Sequence, residues 1–528
     1  MDFIDRKRRR FPFKCFGTDQ PDIFVFTVDM VCPDFYRPGL LANEVFLPAW
    51  RALESQSIVF TNAFSVSPLC SGSRATFFTG RYPYILVNEE RSHDGFETEL
   101  RADEVIFPEY LKAAGYLIGH VGKSHIGTAS FIRAFGENCA PWNRWAPPIW
   151  DDADYQAYLK TLDVKPPKFV RKIQGKKPDR QTLGNLYGGW VGQEDGKPFP
   201  VDATYPHYLV TRAMNQLERL LDKRKPGQPV YFQIDLFAPH QPFFIPSDLA
   251  EREKSLRQKM SLPASYEKWV TNDYRWDEPQ PKIYEIYRRN WGLYDQKTAF
   301  DYFIAGILQM EVVDLALNRF LRFLKEEGLL EKCVFLLTSD HGEMNLEQGL
   351  IDKGVYGHPR IARVPLLLKL PGFSSARVVE EPVCLLDVAP TMFNLAGIEA
   401  LAGLDGESLL VRLEQPSVRR KPFLFEATWH VAPNPAVAIH DYQGSEKHYR
   451  YVYNLCSEID ELYDLNDPES KNLIAEPGLT NVLKEMREQL LDFLNHDVRW
   501  RCYLHAFRLD HFQSVKNGTD DTQMFVPE

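Results

Sequence analysis

The chain has 528 residues, a formal net charge of −10 at pH 7 and 25% charged residues. This length suits one large domain with a smaller companion, and the composition is that of a globular protein. Dispersed acidic charge argues against nucleic acid as a partner, and no apolar run is long enough to cross a bilayer. The N-terminal basic residues precede no apolar signal segment and the eight cysteines are scattered, which predicts a cytoplasmic protein with reduced thiols and no membrane partner.

Four near-continuous apolar runs each end in side chains that can carry chemistry. In chain order they are DIFVFTVDM, with Asp29; YLIGHVGKSH, with Lys123 and His125; VYFQIDLFAPH, with His240; and CVFLLTSDHGE, with Asp340 and His341. Such runs are typical of strands that are buried on both faces of a sheet. A fifth run, RVPLLLKL, predicts a further strand.

Helical patterns separate the predicted strands. The segments FPEYLKAAG, YLVTRAMNQLERLLDKRKPG and VVDLALNRFLRFLKEEG place apolar residues on one face and end at glycine. This alternation predicts an α/β fold, with a large mixed, mostly parallel sheet flanked by helices. Because ligands of such sheets bind beyond the carboxyl ends of the strands, the polar residues at those ends are candidates for a single site.

The chain divides into four parts by pattern and composition. Residues 1–20 are an N-terminal extension, residues 21–411 the main domain, residues 412–500 a smaller α+β subdomain, and residues 501–528 a tail. We interpret the tail as a candidate oligomerisation arm, which predicts a homo-oligomer. Residues 135–205 hold Trp142, Trp145, Trp150 and Trp190. They are either a functional loop or an excursion packed on the main body, and their rings could stack on an aryl group or a sugar.

Three residues at strand ends combine into a metal-ligand set. Asp29 and Asp340 supply carboxylate oxygens, and His341 supplies an imidazole. Together they suit a divalent cation such as Ca²⁺, Mg²⁺ or Mn²⁺. A single aspartate at a strand end is more often a cap or turn residue, so the interpretation depends on all three occurring together.

The remaining candidates would surround a tetrahedral oxyanion. They are Arg74, Lys123 and Lys353, which carry positive charge, and His125 and His240, which can donate protons near neutral pH. Cys70 precedes a predicted helix, SRATFFTG, whose N-terminus favours an anion beside it. A lone buried cysteine is more often a packing residue than a nucleophile. The joint pattern nevertheless predicts a hydrolytic site with cations, a nucleophile and a proton donor.

The segment CSGSRATFFTGR resembles the signature of type I sulfatases, which belong to the alkaline phosphatase superfamily. Six further segments resemble this family in the same order. They are FVFTVDM, GYLIGHVGKSHIG, APHQPF, TSDHGEMNLEQGLIDKG with RVPLLL, LLDVAPTMFNLAG with LDGESLL, and ELYDLNDPESKNL. The resemblance covers roughly residues 22–475 and implies a sulfatase-like α/β fold.

The resemblance also implies a mechanism for sulfate ester hydrolysis. In the family, a modifying enzyme oxidises the cysteine to formylglycine, and a hydroxyl of its hydrate attacks sulfur. By match of motif, the metal ligands would be Asp29, Cys70, Asp340 and His341, with Ca²⁺ as first choice and Mn²⁺ or Mg²⁺ as alternatives. Arg74 would steady the nucleophile, Lys123 and Lys353 would hold substrate oxygens, His125 would orient the diol, and His240 would serve the leaving group. An aryl or sugar sulfate ester is the implied small-molecule substrate.

The sequence departs from the family pattern at several positions. Gly72 stands where the family usually has proline, so conversion of Cys70 is expected to be less efficient. Met30 stands where many sulfatases have a second aspartate, and His341 where many have asparagine, which widens the metal choice toward Mn²⁺. His358 has no assigned role.

These departures leave two other functions open. Phosphonate monoester hydrolases, which share the fold and the formylglycine, resemble the chain in its Asp-His pair, so a phosphonate monoester or phosphodiester hydrolase is the first alternative. Retention of Lys123 and His125 favours a sulfate ester. The second alternative is a catalytically inactive relative that binds an oxyanion.

Overall fold

The structure is a computed structural model, and it describes residues 20–513 except 38–40, 42, 88–97, 400, 415–419, 442–447, 458 and 468–469. Residues 1–19 of the predicted N-terminal extension and residues 514–528 of the predicted tail lie outside the described residues. Within the described part of the chain, no helix has the combined length and hydrophobicity that spanning a bilayer requires.

The described residues alternate between strands and helices. The strands are β1 Ile23–Asp29, β2 Ile58–Phe60, β3 Ala63–Phe64, β4 Leu86–Val87, β5 Glu99–Leu100, β6 Leu117–Lys123, β7 Cys139–Trp142, β8 Pro167–Lys176, β9 Leu183–Gln193, β10 Val230–Pro239, β11 Phe243–Pro246, β12 Val334–Ser339, β13 Arg363–Val364, β14 Leu366–Lys369, β15 Arg377–Val379, β16 Val383–Cys384, β17 Leu424–Trp429, β18 Pro433–Asp441, β19 Tyr449–Asn454 and β20 Glu461–Asp464. The helices are α1 Pro33–Tyr36, α2 Pro48–Glu54, α3 Cys70–Thr79, α4 Phe107–Ala113, α5 Ala129–Phe135, α6 Ala153–Thr161, α7 Tyr205–Leu221, α8 Ala250–Lys259, α9 Ala264–Thr271, α10 Lys282–Trp291, α11 Gln296–Glu326, α12 Pro359–Ala362, α13 Val388–Leu395, α14 Leu409–Glu414, α15 Thr480–His496 and α16 Arg501–Arg508.

An eight-stranded sheet forms the centre of the molecule, in the order β15-β2-β14-β12-β1-β10-β6-β7. Five consecutive strands are parallel to one another, in the order β12, β1, β10, β6 and β7. Strand β14 pairs antiparallel with both of its neighbours, β12 and β2. This confirms the predicted mixed, mostly parallel α/β sheet. Every residue of β1 is buried, and its side chains alternate between two hydrophobic cores on opposite faces, which explains its near-continuous apolar run.

The four predicted polar strand ends lie side by side in this sheet. Strands β12, β1, β10 and β6 are consecutive and parallel. Asp340 follows β12, Asp29 ends β1, His240 follows β10, and Lys123 ends β6. Because carboxyl ends of parallel strands meet at one edge, the sheet gathers these side chains into one region.

The tryptophan-rich residues 135–205 are largely ordered secondary structure rather than an open loop. They contain β7, α6 and a long antiparallel hairpin, β8–β9, whose second strand also pairs with β11. Residues 250–291 add three helices, α8 to α10. Between β7 and α6, a short connection carries the exposed rings of Trp145 and Trp150.

A four-stranded antiparallel sheet, β17-β18-β19-β20, follows the main sheet in the chain. Helix α15 buries Met486, Leu490 and Leu494 in the same hydrophobic core as this sheet. Helix α16 follows it, with the Phe507 ring 4.9 Å from that of Tyr453. The four domain boundaries and the oligomerisation arm stay predictions.

Candidate active site

Cys70 is buried at the first residue of α3. Its Sγ lies 3.1 Å from Nε2 of His341 and 3.8 Å from Oδ1 of Asp29. The helix begins earlier than predicted, since the Ser73 amide already donates to the Leu69 carbonyl oxygen at 2.9 Å. Cys70 therefore lies in the first turn, where amides without intrahelical acceptors favour a negative charge.

The predicted metal ligands form one buried cluster. Asp29, Cys70, Asp340 and His341 each offer a ligand atom within 4.8 Å of all the others. His341 donates from Nδ1 to the Gly342 carbonyl oxygen at 2.9 Å, so its other ring nitrogen, Nε2, faces the cluster. Two carboxylates, an imidazole and the Cys70 position are a donor set that fits a divalent cation.

Met30 contributes its backbone to this cluster. Its amide donates to Oδ1 of Asp340 at 3.1 Å, beside a second bond from the His341 amide at 3.0 Å. The positive φ of Met30, 56°, turns the chain immediately after β1. The residue that replaces the family's second aspartate thus still orients a predicted ligand.

Arg74 lies behind the metal-ligand cluster and contacts three carboxylates. Its Nε is 2.9 Å from Oδ2 of Asp340, one Nη is 3.7 Å from Oδ2 of Asp29, and the other is 3.2 Å from Oδ1 of Asp235. All four side chains are buried. Arg74 therefore fixes the two acidic ligands relative to each other while offsetting their charge.

Asp235 and His120 complete a buried polar network that the sequence analysis missed. Nε2 of His120 lies 2.7 Å from Oδ2 of Asp235, and Nε2 of Gln233 donates to Oδ1 at 3.1 Å. The available signal was the alternation of Gln233 and Asp235 with apolar residues in YFQIDLF. A polar residue inside a strand that is buried on both faces requires partners.

Lys123 and His125 also interact with the cluster around Cys70. The Lys123 ammonium donates to Oδ2 of Asp29, and His125 is a hydrogen-bonding partner of Cys70. Burial, reinforced by the charge of Lys123, lowers the pKa of His125 to about 4. The His125 ring is therefore neutral at pH 7. Burial would raise the pKa of the Cys70 thiol, but Lys123, Lys353 and His341 outweigh it and hold that pKa well below its ordinary value.

Lys353 and His240 form a buried hydrogen-bonded pair close to the cluster. Nζ of Lys353 donates to Nε2 of His240 at 2.8 Å and to Oδ1 of Asp352 at 3.2 Å. Burial disfavours the Lys353 cation, but the charges of Asp352 and the cluster outweigh it and raise the pKa of Lys353. Gln241 in turn donates to Oδ2 of Asp352 at 2.7 Å. The loop that follows β12 is thereby tied to the end of β10.

His430, which the sequence analysis also missed, comes to this region from the end of β17. The Tyr287 hydroxyl accepts the Val355 amide at 3.2 Å and lies 3.0 Å from Nδ1 of His430. Burial lowers the pKa of His430 to about 4, and the nearby Lys353 acts in the same direction. No local pattern in TWHVAP identifies it, because its position depends on how the second sheet docks.

His358 is a structural residue. It is buried, its Nδ1 accepts the Arg360 amide at 3.2 Å as the N-cap of α12, and its ring lies 5.3 Å from that of Tyr463. Cys70 and the eight other predicted site residues all lie in one region. Their individual roles stay predictions.

Comparisons with known proteins agree with this architecture. A sulfatase family model matches residues 39–398, and a model for the C-terminal region of N-sulphoglucosamine sulphohydrolase matches residues 346–496. Among curated proteins, the uncharacterized sulfatase YidJ of Escherichia coli is 28% identical, over 84% of this chain and 81% of its own. The choline-sulfatase of Rhizobium meliloti is 26% identical, over 95% and 92%. The structure of a phosphonate monoester hydrolase from Silicibacter pomeroyi is similar in fold, with a TM-score of 0.66 at 19% identity, covering 91% of this chain and 96% of that one.

Proposed function

We propose, on the premise that this chain belongs to the sulfatase family and is a sulfuric ester hydrolase, that it cleaves sulfate esters with a formylglycine formed from Cys70. One observation carries the proposal. Buried Cys70 belongs to the carboxylate–imidazole cluster, and the Lys353–His240 pair lies close enough for Lys353 to lower the pKa of its thiol. A nucleophile within an activating cluster and near a proton-bearing pair is the arrangement that ester hydrolysis needs.

The cluster would hold one divalent cation. Asp29, Asp340 and His341 would ligate it together with the modified Cys70, and the cation would supply the positive charge that activates an oxygen nucleophile at that residue. Ca²⁺ is our first choice, with Mn²⁺ or Mg²⁺ as alternatives, and the imidazole of His341 moves the choice toward Mn²⁺.

The side chains around Cys70 bind the sulfate group and the leaving oxygen. Lys123 and Lys353 neutralise sulfate oxygens, and neutral His125 orients the nucleophile by hydrogen bonding. Lys353 donates to Nε2 of His240 at 2.8 Å, so a proton is held between these two atoms beside the leaving group. The pair delivers this proton to the departing alcohol, with Lys353 as its donor and His240 as the residue that holds Lys353 in place.

The direct test combines peptide mass with turnover. The protein is expressed with a formylglycine-generating enzyme, and the mass of the tryptic peptide over residues 52–74 is measured by mass spectrometry. We expect an aldehyde at Cys70, hydrolysis of a sulfate ester, and loss of turnover in Cys70→Ala and after metal chelation. Full conversion and metal loading without hydrolysis of any sulfate ester would favour the inactive oxyanion-binding relative.

Phosphonate monoester or phosphodiester hydrolysis is the second candidate function. The specific observation in its favour is Met30, whose side chain supplies no carboxylate to the cluster. Retention of Lys123 and His125 favours the sulfate ester. Measuring kcat/KM for phenyl sulfate and for a phenyl phosphonate ester on the same preparation separates the two functions. A higher kcat/KM for the phosphonate would make phosphonate hydrolysis the main function and sulfate hydrolysis the alternative.

We also propose a cytoplasmic location and a homo-oligomeric state. Among the described cysteines none is in a disulfide, which supports a reducing compartment. Cell fractionation and sedimentation of the native protein test these two proposals.

A further inference from the structure

Trp145 is an exposed aromatic residue beside the buried active site. Its side chain is 41% exposed, whereas His240, whose ring centroid is 6.0 Å away, is only 3% exposed. His240 also stacks on Phe237 at 5.0 Å, and the Trp145 ring lies 6.1 Å from that same phenyl ring. The histidine that faces the leaving group is thus bordered by an indole that still presents much of its surface to solvent.

The connection that carries Trp145 is anchored on both sides of it. Before it, buried Asn143 accepts the Gly127 amide at 2.8 Å and donates to the Thr98 carbonyl oxygen at 2.9 Å. After it, Ile149 is buried in the core, and its carbonyl oxygen accepts from Gln156 at 3.4 Å. A large apolar side chain kept exposed between two buried anchors is held in place rather than free to fold back onto the core.

The charges beside the indole indicate what kind of group can approach it. Lys353 donates to His240, and the Lys123 ammonium lies 5.6 Å from the Phe237 ring centroid. Each of these cations is paired with a carboxylate, Lys353 with Asp352 and Lys123 with Asp29, so their charges are largely offset. A cationic alcohol such as choline would have to lose its hydration to reach this wall, whereas a neutral ring with a flat apolar face buries the exposed indole without that cost.

We propose that Trp145 is the platform on which the leaving alcohol stacks, so that it selects sulfate esters whose alcohol is carried on a sugar or aryl ring. This inference rests on the proposed function. The ring lies against the indole face while its ester oxygen meets the Lys353–His240 pair. Trp145 acts on specificity through contact with the substrate.

Trp150 provides a matched control on the same connection. It is 49% exposed, similar to Trp145, but its ring contacts Phe244 and Phe169 at 5.8 and 6.2 Å. No ring contact joins it to His240 among the described residues. Trp150→Ala therefore removes a comparable exposed indole without changing the wall beside the leaving group.

The experiment compares kcat/KM for wild type, Trp145→Ala, Trp145→Phe and Trp150→Ala. The substrates are 4-nitrophenyl sulfate, a hexose 6-sulfate, choline sulfate and ethyl sulfate, with fully converted, metal-loaded protein. We expect Trp145→Ala to lower kcat/KM about tenfold for whichever ring ester wild type prefers and to change ethyl sulfate by less than about twofold. Trp145→Phe is expected to keep most of the activity, and Trp150→Ala all of it. The two ring substrates show whether the ring is a sugar or an aryl group.

Several results would overturn the platform. They are equal losses on ring and ethyl esters, the same loss in Trp150→Ala, wild-type preference for ethyl sulfate, or a loss confined to choline sulfate, which would assign a quaternary ammonium instead. In each of these the enzyme still cleaves sulfate, so the proposed function stands. If converted wild-type protein cleaves no sulfate ester, the function itself fails.

Discussion

Replacing Asp235 by asparagine tests whether the buried network behind Arg74 positions the active site. Asp235 is 1% exposed and contacts Arg74, His120 and Gln233 at 3.2, 2.7 and 3.1 Å. All three contacts come from groups that can donate to it. Asparagine keeps the shape but removes the charge, and its NH₂ group then faces a donor.

This geometry allows the loss of stability and the loss of activity in Asp235→Asn to be estimated separately. Removing one partner of a buried ion pair costs about 3–5 kcal/mol, and the acceptor that asparagine retains places the expected loss near the lower end. Arg74 touches both acidic ligands of the cluster. Loss of partners that orient a metal site typically lowers activity by about 10–100-fold. We therefore expect Asp235→Asn to lose about 3 kcal/mol of stability and to show a 10–100-fold fall in kcat with a smaller change in KM.

Asp22 provides the matched control at the opposite end of the same sheet. It immediately precedes β1, accepts two bonds from Arg224 at 2.8 and 3.0 Å, and accepts the Val230 amide at 2.9 Å. Asp22→Asn is expected to lower stability but to leave kcat within about twofold. Urea unfolding midpoints and steady-state kinetics on converted, metal-loaded protein measure both effects. Wild-type kcat in Asp235→Asn, or an equal fall in Asp22→Asn, would refute the positioning role.

Two further predictions concern conversion and pH. Gly72→Pro should increase the fraction of Cys70 converted to aldehyde without lowering the unfolding midpoint. Gly72 precedes Ser73, the first intrahelical donor of α3, and proline is tolerated in a first turn. Unchanged conversion by peptide mass would show that Gly72 is not what limits modification. Glu426→Gln should stabilise the protein at about pH 8 but not at about pH 5. Burial, partly countered by a bond from Tyr503, raises the pKa of Glu426 from 4.5 to about 7. As pH rises, Glu426 ionises at a lower pH in the unfolded state than in the folded state. The wild-type protein therefore loses stability between about pH 5 and about pH 8, by about 2 kcal/mol when the partial exposure of Glu426 is taken into account. The glutamine variant has no carboxyl group to ionise and does not lose this stability. Equal wild-type and variant midpoints at both pH values would contradict this reasoning.

The part of the site that lies at strand ends could be predicted from the sequence. Val28 of β1 pairs with Ser339 of β12 in parallel register, so the residues that follow, Asp29 and Asp340, must reach the same edge. Apolar runs that end in charged residues show this directly, and parallel pairing needs no knowledge of distant segments. The strand-end residues of the candidate cluster were found for this reason.

The residues behind the cluster and those from the second sheet could not be assigned in the same way. Asp235 contacts Arg74, which is 161 positions away, and nothing in YFQIDLF identifies that partner. His430 comes close enough to Lys353 and His240 for their charges to lower its pKa only because β17 packs where it does. Tertiary packing decides both positions, and single-sequence periodicity carries no information about it.

The charge balance of the buried site explains how Met30 is compatible with activity. With His341 counted as a neutral ligand and Glu343, whose pKa burial raises to about 7, left aside, four buried carboxylates face three buried cations, namely Asp29, Asp235, Asp340 and Asp352 against Arg74, Lys123 and Lys353. This balance leaves one negative charge, which a divalent cation would convert to one positive charge. A sulfate ester carries a single negative charge, so its binding would make the region neutral. A second aspartate at position 30 would remove the surplus positive charge and leave the ester's charge unbalanced in a low-dielectric region, where such a charge is costly. Since phosphonate monoesters and phosphodiesters carry the same single charge, this balance makes methionine at position 30 compatible with a monoanionic ester of either kind, while its backbone amide keeps Asp340 oriented.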